Sequence, residues 1–209
     1  MTIHSVPSAN PIRQADQPRG DKREAILRAA TDVFAGRGFF NAQVADVARA
    51  AGVAAGTVYL YFRGKDDLLV SIFERSMKDV LAEGRKAIEK IDDPAERLRT
   101  IAQLHLDRIG RDKDHAVVFQ VELRQSVKFM ERFSESFLQD YFKMIREAIA
   151  DGQQAGAFRK DISATTATKI FFGALDEMAT NWVLSRRKYD LGAEADAVVD
   201  LFINGVKRK

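Results

Sequence analysis

Asp176 and Glu177 stand side by side, and a pair of carboxylates is what general acid–base catalysis uses. Adjacent side chains on a helix point about 100° apart, however, so the two cannot face one substrate together. Neither has a histidine or a lysine three or four residues away to complete a proton relay. The chain of 209 residues has no cysteine, which excludes thiol catalysis, disulfides and cysteine-bound zinc. Its three histidines, His4, His105 and His115, are too scattered for a metal cage. No nucleophile elbow and no phosphate-cradling glycine loop occurs, so the expectation is a protein that is not an enzyme and holds no cofactor or metal. What remains is recognition. The stretch VADVARAAGVAAGTVYLYF, Val44 to Phe62, spaces its small, apolar and glycine residues as two helices crossing at a tight turn require.

Val44, Val47, Ala48 and Ala51 recur at i, i+3, i+4 and i+7, a single buried stripe on a short helix. Gly52 ends that helix where a positive φ costs a glycine little and a Cβ would crowd the turn. Val53 plugs the corner, Ala48 is small where the second helix comes closest, and Val58 and Tyr61 pack back at i and i+3. Gly56 and Thr57 therefore point outward at the start of the second helix. In a DNA-binding helix-turn-helix that end enters the major groove and offers N–H groups and short polar side chains to phosphates and base edges. Arg63, Gly64 and Lys65 follow as a basic corner, although the same shape also serves elsewhere as a plain packing unit. Residues 1–65 hold nine Lys or Arg against five Asp or Glu, while the remainder is close to balanced, so the positive excess lies in the half that carries this unit.

The longer run GFFNAQVADVARAAGVAAGTVYLYFRGKDDLL, Gly38 to Leu69, resembles the N-terminal domain of TetR-family transcriptional repressors, with their string of the type GxxxxxVxxIAxxAGVxxGTxYxYFxxKxxLL. The resemblance implies a three-helix reading head whose DNA contacts come from Gln43, Val44, Ala55, Gly56, Thr57, Tyr59, Tyr61 and Lys65, with Lys65 at the phosphates. One position departs from the pattern. Where a capping Ser or Thr is common, this chain has Asn41, Ala42 and Gln43; Asn41 can cap the helix and Gln43 can donate to phosphate.

The elements that must position this unit are helical throughout. Four prolines, no sustained alternation of apolar and polar residues and many stripes at three–four spacing predict an all-α protein. Residues 1–20 have no periodicity and are expected to form a disordered arm, whose Arg13 and Arg19 stand near the DNA or serve no purpose there. Asp21 caps a first helix to Arg37, with Ala25, Ile26, Ala29, Ala30, Val33 and Phe34 inside and Gly38 as its stop. The head thus spans 21–65. A long helix from Lys65 to about Ile91 joins it to the body, with Leu68, Leu69, Ile72, Phe73, Met77, Val80, Leu81, Ile88 and Ile91 inside, and Asp92, Asp93 and Pro94 break it. Five further helices are predicted in the body, residues 66–209, near 95–109, 115–126, 130–154, 164–185 and 193–206. No apolar run reaches the roughly 20 residues of a membrane span and no signal-peptide core opens the chain, so a cytoplasmic protein is expected.

Within that body, VVFQVELRQS (Val117 to Ser126) and TKIFFGALDEMATNWVLSRRKYDL (Thr168 to Leu191) resemble the ligand-binding domain of the FadR group of the TetR family, bacterial repressors of fatty-acid degradation that leave DNA on binding a long-chain acyl-CoA. The resemblance implies a ligand site drawn from Leu104, Phe119, Leu123, Arg124, Gln125, Phe172, Asp176, Trp182 and Arg186. Arg124, Lys128, Arg186 and Arg187 are candidates for the phosphates of coenzyme A, or plain surface charges. Large apolar residues such as Phe119, Phe133, Phe137, Tyr141, Phe142, Phe171 and Met178 recur at helical spacing, and a core and a fatty-chain tunnel use the same types.

One helix-turn-helix reads too few base pairs for operator specificity, so a homodimer on double-stranded DNA is expected. The last two helices carry the stripes Ile170, Phe171, Ala174, Leu175, Met178, Trp182 and Ala195, Val198, Val199, Phe202, Val206, which face a second subunit as in TetR-family proteins or are buried within one. The whole pattern implies a repressor of fatty-acid degradation genes whose long helix shifts the heads when acyl-CoA fills the body. A TetR-family regulator of efflux answering to an apolar drug or flavonoid is the alternative, and a protein-docking body or a small acyl-CoA enzyme stand behind it.

Overall fold

The computed structural model describes residues 19–125 and 137–207. The arm expected at 1–20 lies outside them except for its last two residues, which already belong to the first helix. That helix, α1 (Arg19–Arg37), starts ahead of the expected point, so Asp21 sits in its first turn, where a carboxylate favours the helix dipole, and does not cap it. Leu27 is buried beside the expected stripe because α1 has a second partner, the short helix Lys113–Val117 and the turn that follows it. Gly38 ends α1 at φ 77°, as a left-handed stop requires.

The reading unit is α2 (Val44–Ala50) and α3 (Ala55–Tyr59), with Gly52 at φ 67° between them. Val47, Ala48 and Val58 are buried where the two helices meet, and α2 lies against α1. A longer helix, α4 (Lys65–Ile88), packs on α1 at one end and runs on into the body. It stops three residues before the expected end, and Asp93 then accepts from the Ala95 amide at 3.0 Å with Pro94 in the first position of α5 (Pro94–Arg111).

α5 is the axis of the body. It packs against α4, α7 (Phe137–Gln154), α8 (Ala164–Leu184) and α9 (Ala195–Val206), burying Leu98, Ile101, Ala102 and Leu106. Between α5 and α7 the chain departs from the single helix expected at 115–126. Asp112 caps α6 (Lys113–Val117) by accepting from the His115 amide at 3.0 Å, the backbone then widens into a π turn over Val118–Glu122, and it tightens to a 3₁₀ turn over Leu123–Gln125. A π turn fits an extra residue into the helix and rotates all that follows it, which directs Glu122 toward the head while Phe119 and Gln120 face the body. The expected start of the next helix near Met130 lies outside the described residues. Ser163 caps α8 by accepting from the Thr166 amide at 3.1 Å. Apart from one isolated bridge between Phe158 and Lys207, the described residues form no β-structure.

The two stripes expected on α8 and α9 divide differently from their outline. Phe171, Leu175, Ala195, Val199 and Val206 are buried within this chain, because α8 and α9 pack on each other and on α5. The open face of α8 is Ile170, Gly173, Ala174, Glu177, Asn181 and Leu184, and that of α9 is Ala197, Leu201, Asn204 and Gly205.

Candidate DNA interface and effector cavity

The head presents Gln43, Ala55, Gly56 and Tyr59 to solvent, with Val44, Thr57 and Tyr61 half-buried behind them. Val58, between Thr57 and Tyr59, is fully buried, so α3 is anchored by one residue while its neighbours stand out on either side. Tyr59 is 57% and Leu60 81% exposed, a large apolar and aromatic surface for a packing unit to leave in water. Ala54, the residue ahead of α3, has no side-chain acceptor with which to cap it. Val44 and Tyr61 pack on the core from its edge.

Two expectations at this corner are corrected. Asn41 does not cap α2: its Nδ2 donates to the Arg37 carbonyl at 3.2 Å, closing the end of α1, and Gln43 occupies the cap position with its N–H donating to Asp46 Oδ2 at 3.1 Å. The Lys65 ammonium donates to the carbonyls of Phe39, Phe40 and Ala42 at 3.1, 3.0 and 3.3 Å and lies 4.8 Å from the Phe39 ring centre. All three of its protons are thus used in holding the turn after α1, which leaves none for a phosphate. Exposed cationic surface is supplied instead by Arg37 and Arg49, each ion-paired with Asp46, at 2.9 and 3.2 Å. Their spacing around Asp46, nine and three residues, carries the signal only once the α1–α2 turn is known.

In the body, α4, α5, the α6–π segment, α7 and α8 converge on an apolar cavity of about 80 Å³. Of the expected ligand residues, the fold brings together Leu104, Phe119, Arg124, Phe172 and Asp176. Arg124 and Asp176 form a two-pronged ion pair, 2.9 and 2.5 Å, across the cavity wall. This pairing joins the 3₁₀ turn to α8. The other four residues stand elsewhere. Leu123 is buried in the core, Gln125 is exposed beside it, Arg186 is exposed beyond the end of α8, and Trp182 is half-buried with its Nε1–H donated to the Tyr189 carbonyl at 3.0 Å. Two features place them there: the π turn resets the face on which Leu123 and Gln125 lie, and the last turn of α8, with Trp182 and then Arg186 beyond it, points toward the α8–α9 connection. Lys128 lies outside the described residues, and Arg187 is exposed.

Met77, Val80 and Gly84 of α4 also line the cavity, as do His105 and Arg108 of α5 and Tyr141 and Met144 of α7. Arg108 is ion-paired with Glu83 at 3.2 Å and Asp79 at 3.6 Å. Phe119 stacks on His115 at 4.4 Å and tilts against Phe73 of α4 at 5.3 Å, so the cavity wall is continuous with the long helix. The His105 Nδ1 lies 3.0 Å from the Tyr141 hydroxyl. Burial pushes the His105 imidazole down to about 4, Asp176 and Arg124 acting on it in opposite senses, and burial raises the Tyr141 phenol. Burial also lowers His115. Both histidines are therefore neutral near pH 7. Among the described residues no group of His, Asp and Glu is arranged to hold a metal ion, and no helix is long and apolar enough to cross a membrane.

One further contact crosses from body to head. Glu122, 6% exposed, accepts from the Phe39 amide at 2.6 Å through Oε2. Phe39 is the same residue whose carbonyl Lys65 holds, so the turn after α1 is gripped from the π segment on one side and from the start of α4 on the other.

Known proteins share this fold over most of the chain. Residues 26–72 match the bacterial regulatory proteins of the tetR family, and residues 73–205 match the C-terminal region of YsiA-like proteins. The fatty acid metabolism regulator protein of Bacillus subtilis is 33% identical over 88% of this chain and 95% of its own length. Among solved structures, the fatty acid degradation regulator FadR of Bacillus halodurans superposes with a TM-score of 0.85 at 35% identity, covering 92% of this chain and all of that one. FadR of Bacillus subtilis in complex with stearoyl-CoA superposes with a TM-score of 0.83 at 32% identity, covering 88% of this chain and 98% of that one. These relatives are transcriptional regulators, and the chain belongs to the TetR family of bacterial regulatory proteins.

Proposed function

We propose that this chain is a homodimeric DNA-binding repressor of fatty-acid degradation genes that leaves its operator when a long-chain acyl-CoA fills the body cavity. The observation that carries it is the apolar cavity with the Arg124–Asp176 pair in its wall, in a chain that superposes on a FadR bound to stearoyl-CoA. An apolar wall suits an alkyl chain. Arg124 and Arg108, each already held by carboxylates at that wall, are the cations that phosphates of the coenzyme would recruit.

Residues 21–65 act as the DNA-reading head and 66–209 as the ligand and dimer body. The recognition surface is Gln43, Ala55, Gly56, Thr57 and Tyr59, with Val44 and Tyr61 supporting it. Arg37 and Arg49 take the phosphate role and Lys65 that of a brace. The dimer forms through the open faces of α8 and α9, where Ile170, Leu184 and Leu201 are 57, 68 and 79% exposed and Gly173 and Gly205 leave space for close helix approach. The body holds its ligand without turning it over, needs no cofactor, and works in the cytoplasm beside the DNA.

Ligand and operator are coupled by two routes. α4 carries cavity residues Met77, Val80 and Gly84 on the same rod as Lys65, and the π segment carries Phe119 and Gln120 beside Glu122. By linkage, acyl-CoA weakens DNA binding by the factor by which DNA weakens acyl-CoA binding. Fluorescence anisotropy of DNA from upstream of its own gene, titrated with protein and then with acyl-CoA esters, free fatty acids and free coenzyme A, tests this. Release by long-chain esters alone is the expected outcome. Binding that no acyl-CoA disturbs, but an apolar drug or flavonoid does, would replace the effector with an efflux substrate.

A further inference from the structure

The buried polar pair inside the cavity assigns a task to a residue that the function has not yet used. His105 Nε2 is sealed from water and has no hydrogen-bond partner, although the His105 ring lines the cavity. Its other nitrogen, Nδ1, meets the Tyr141 hydroxyl and nothing else among the described residues. Counting protons fixes which tautomer is present. If Nδ1 carried the hydrogen, it would donate to the Tyr141 oxygen, leaving both the phenolic O–H without an acceptor and Nε2 without a donor. If Nε2 carries it, Tyr141 donates to Nδ1 and a single group is left unmatched, the Nε2–H. The second arrangement has one buried orphan in place of two, and each orphan costs free energy.

An unmatched donor in an apolar wall asks for an acceptor from whatever enters. The wall around it is mostly apolar, so an uncharged oxygen reaches it at a smaller desolvation cost than a carboxylate. The same ring packs edge-on against Phe172, at 6.1 Å between centres, and feels the charges of Asp176 and Arg124. It therefore sits near the charged end of an otherwise apolar wall. In an acyl-CoA the apolar chain begins at the thioester, whose carbonyl oxygen is an uncharged acceptor, and the charged phosphates lie a pantetheine arm further on.

Resting on the acyl-CoA function proposed above, we infer that His105 Nε2–H binds the thioester carbonyl of the effector and that Tyr141 positions it by fixing the tautomer, which makes the pair the element that measures where the acyl chain begins. Coenzyme A carrying an octadecyl thioether has the same chain and head but no carbonyl oxygen, and is the probe that isolates this bond.

Calorimetry of stearoyl-CoA and of the thioether on the full-length protein and on His105→Phe forms a double-mutant cycle. Wild type is expected to prefer the ester by about tenfold, and His105→Phe to bind the two alike. An equal ester preference in both proteins would overturn the assignment. If neither compound binds wild type at all, the effector itself is wrong, a failure distinct from loss of the preference. Long-range ¹⁵N–¹H correlation of the His105 ring in the protein without effector gives a readout free of binding: the Nε2–H tautomer is expected, and Nδ1–H would refute the proton count. Tyr141→Phe is expected to release that tautomer and to lower the ester preference while retaining the thioether affinity.

Discussion

Glu122→Ala tests whether the π segment joins the cavity to the head. Glu122 is 6% exposed and its carboxylate accepts from the Phe39 amide at 2.6 Å, so truncation takes from this buried amide the charged acceptor to which it donates. Hydrogen bonds to charged groups are worth about 1.5–3 kcal/mol. For a chain of this length each kcal/mol moves the melting temperature by about 2–4 °C, giving a fall of roughly 3–12 °C at fixed protomer concentration. Glu122→Gln keeps an oxygen acceptor of the same reach and is expected to lose about half as much. The decisive assay is the ratio of operator affinities with and without saturating stearoyl-CoA. Residues along a coupling route change such ratios by about 0.5–2 kcal/mol, or roughly 2- to 30-fold. A Glu122→Ala protein that melts with wild type would mean that the contact contributes no stability. One that is destabilised but keeps the full ratio would show that α4 alone carries the signal.

Four other outcomes are expected. Tyr59→Ala should abolish operator binding while the denaturation midpoint stays within about 0.5 kcal/mol of wild type, since Tyr59 is 57% exposed; a collapse of folding would place it in the core. Trp182→Ala should cost about 2–3 kcal/mol, below the full core value because the ring is half-buried, and leave acyl-CoA affinity unchanged; a selective loss of that affinity by calorimetry would return Trp182 to the site. Gly152→Ala drives a Cβ into the Phe158 ring and should destabilise by about 1–3 kcal/mol, part of which Phe158→Leu restores in a melting assay. His105 stays neutral in the fold down to about pH 4 but takes a proton near 6.5 when unfolded. The unfolded state thus binds more protons between these values, so stability is full above pH 6.5 and falls by up to roughly 3 kcal/mol as pH drops to 4. His115 shifts in the same direction and adds to the slope. Urea titrations of wild type and His105→Phe across that range should differ in slope, and parallel curves would contradict the burial argument.

The head was legible because its logic is local. Gly38 and Gly52 do take the left-handed conformation that their position after an apolar stripe demanded, and Val47, Ala48 and Val58 are buried where the spacing put them. Asp93 and Pro94 likewise start α5 as their types require. The cavity was legible only in part, since nothing in a phenylalanine distinguishes tunnel from core: Phe119 and Phe172 line the cavity, while Phe171, beside Phe172, is fully buried. Leu123, Gln125 and Arg186 were misplaced because the π turn and the end of α8 change facing in ways that periodicity of 3.6 cannot express. Lys65 was misassigned for another reason. A lysine at a basic corner reads as a phosphate ligand until the three carbonyls that surround it, 23 to 26 residues away, are brought there by the fold.

The size of the cavity constrains how such a switch works. At about 80 Å³ it has room for a few water molecules, not for a stearoyl chain. A long acyl group can enter only if side chains from several helices give way together, and the wall offers few that yield alone. Phe119 is stacked on His115 and tilted against Phe73, Arg124 is clamped to Asp176, and Gly84 lies so close to Met144 that even a Cβ would meet its sulfur at 3.1 Å. Displacing Phe119 therefore presses on α4 through Phe73, and it moves the π segment whose Glu122 holds the head turn. Cores pack in discrete arrangements and do not deform continuously, so filling this cavity should select a second packing of α4 and the π segment. The free energy of that rearrangement is subtracted from the acyl-CoA affinity, while the operator complex is weakened by as much as the two packings differ in their affinity for DNA.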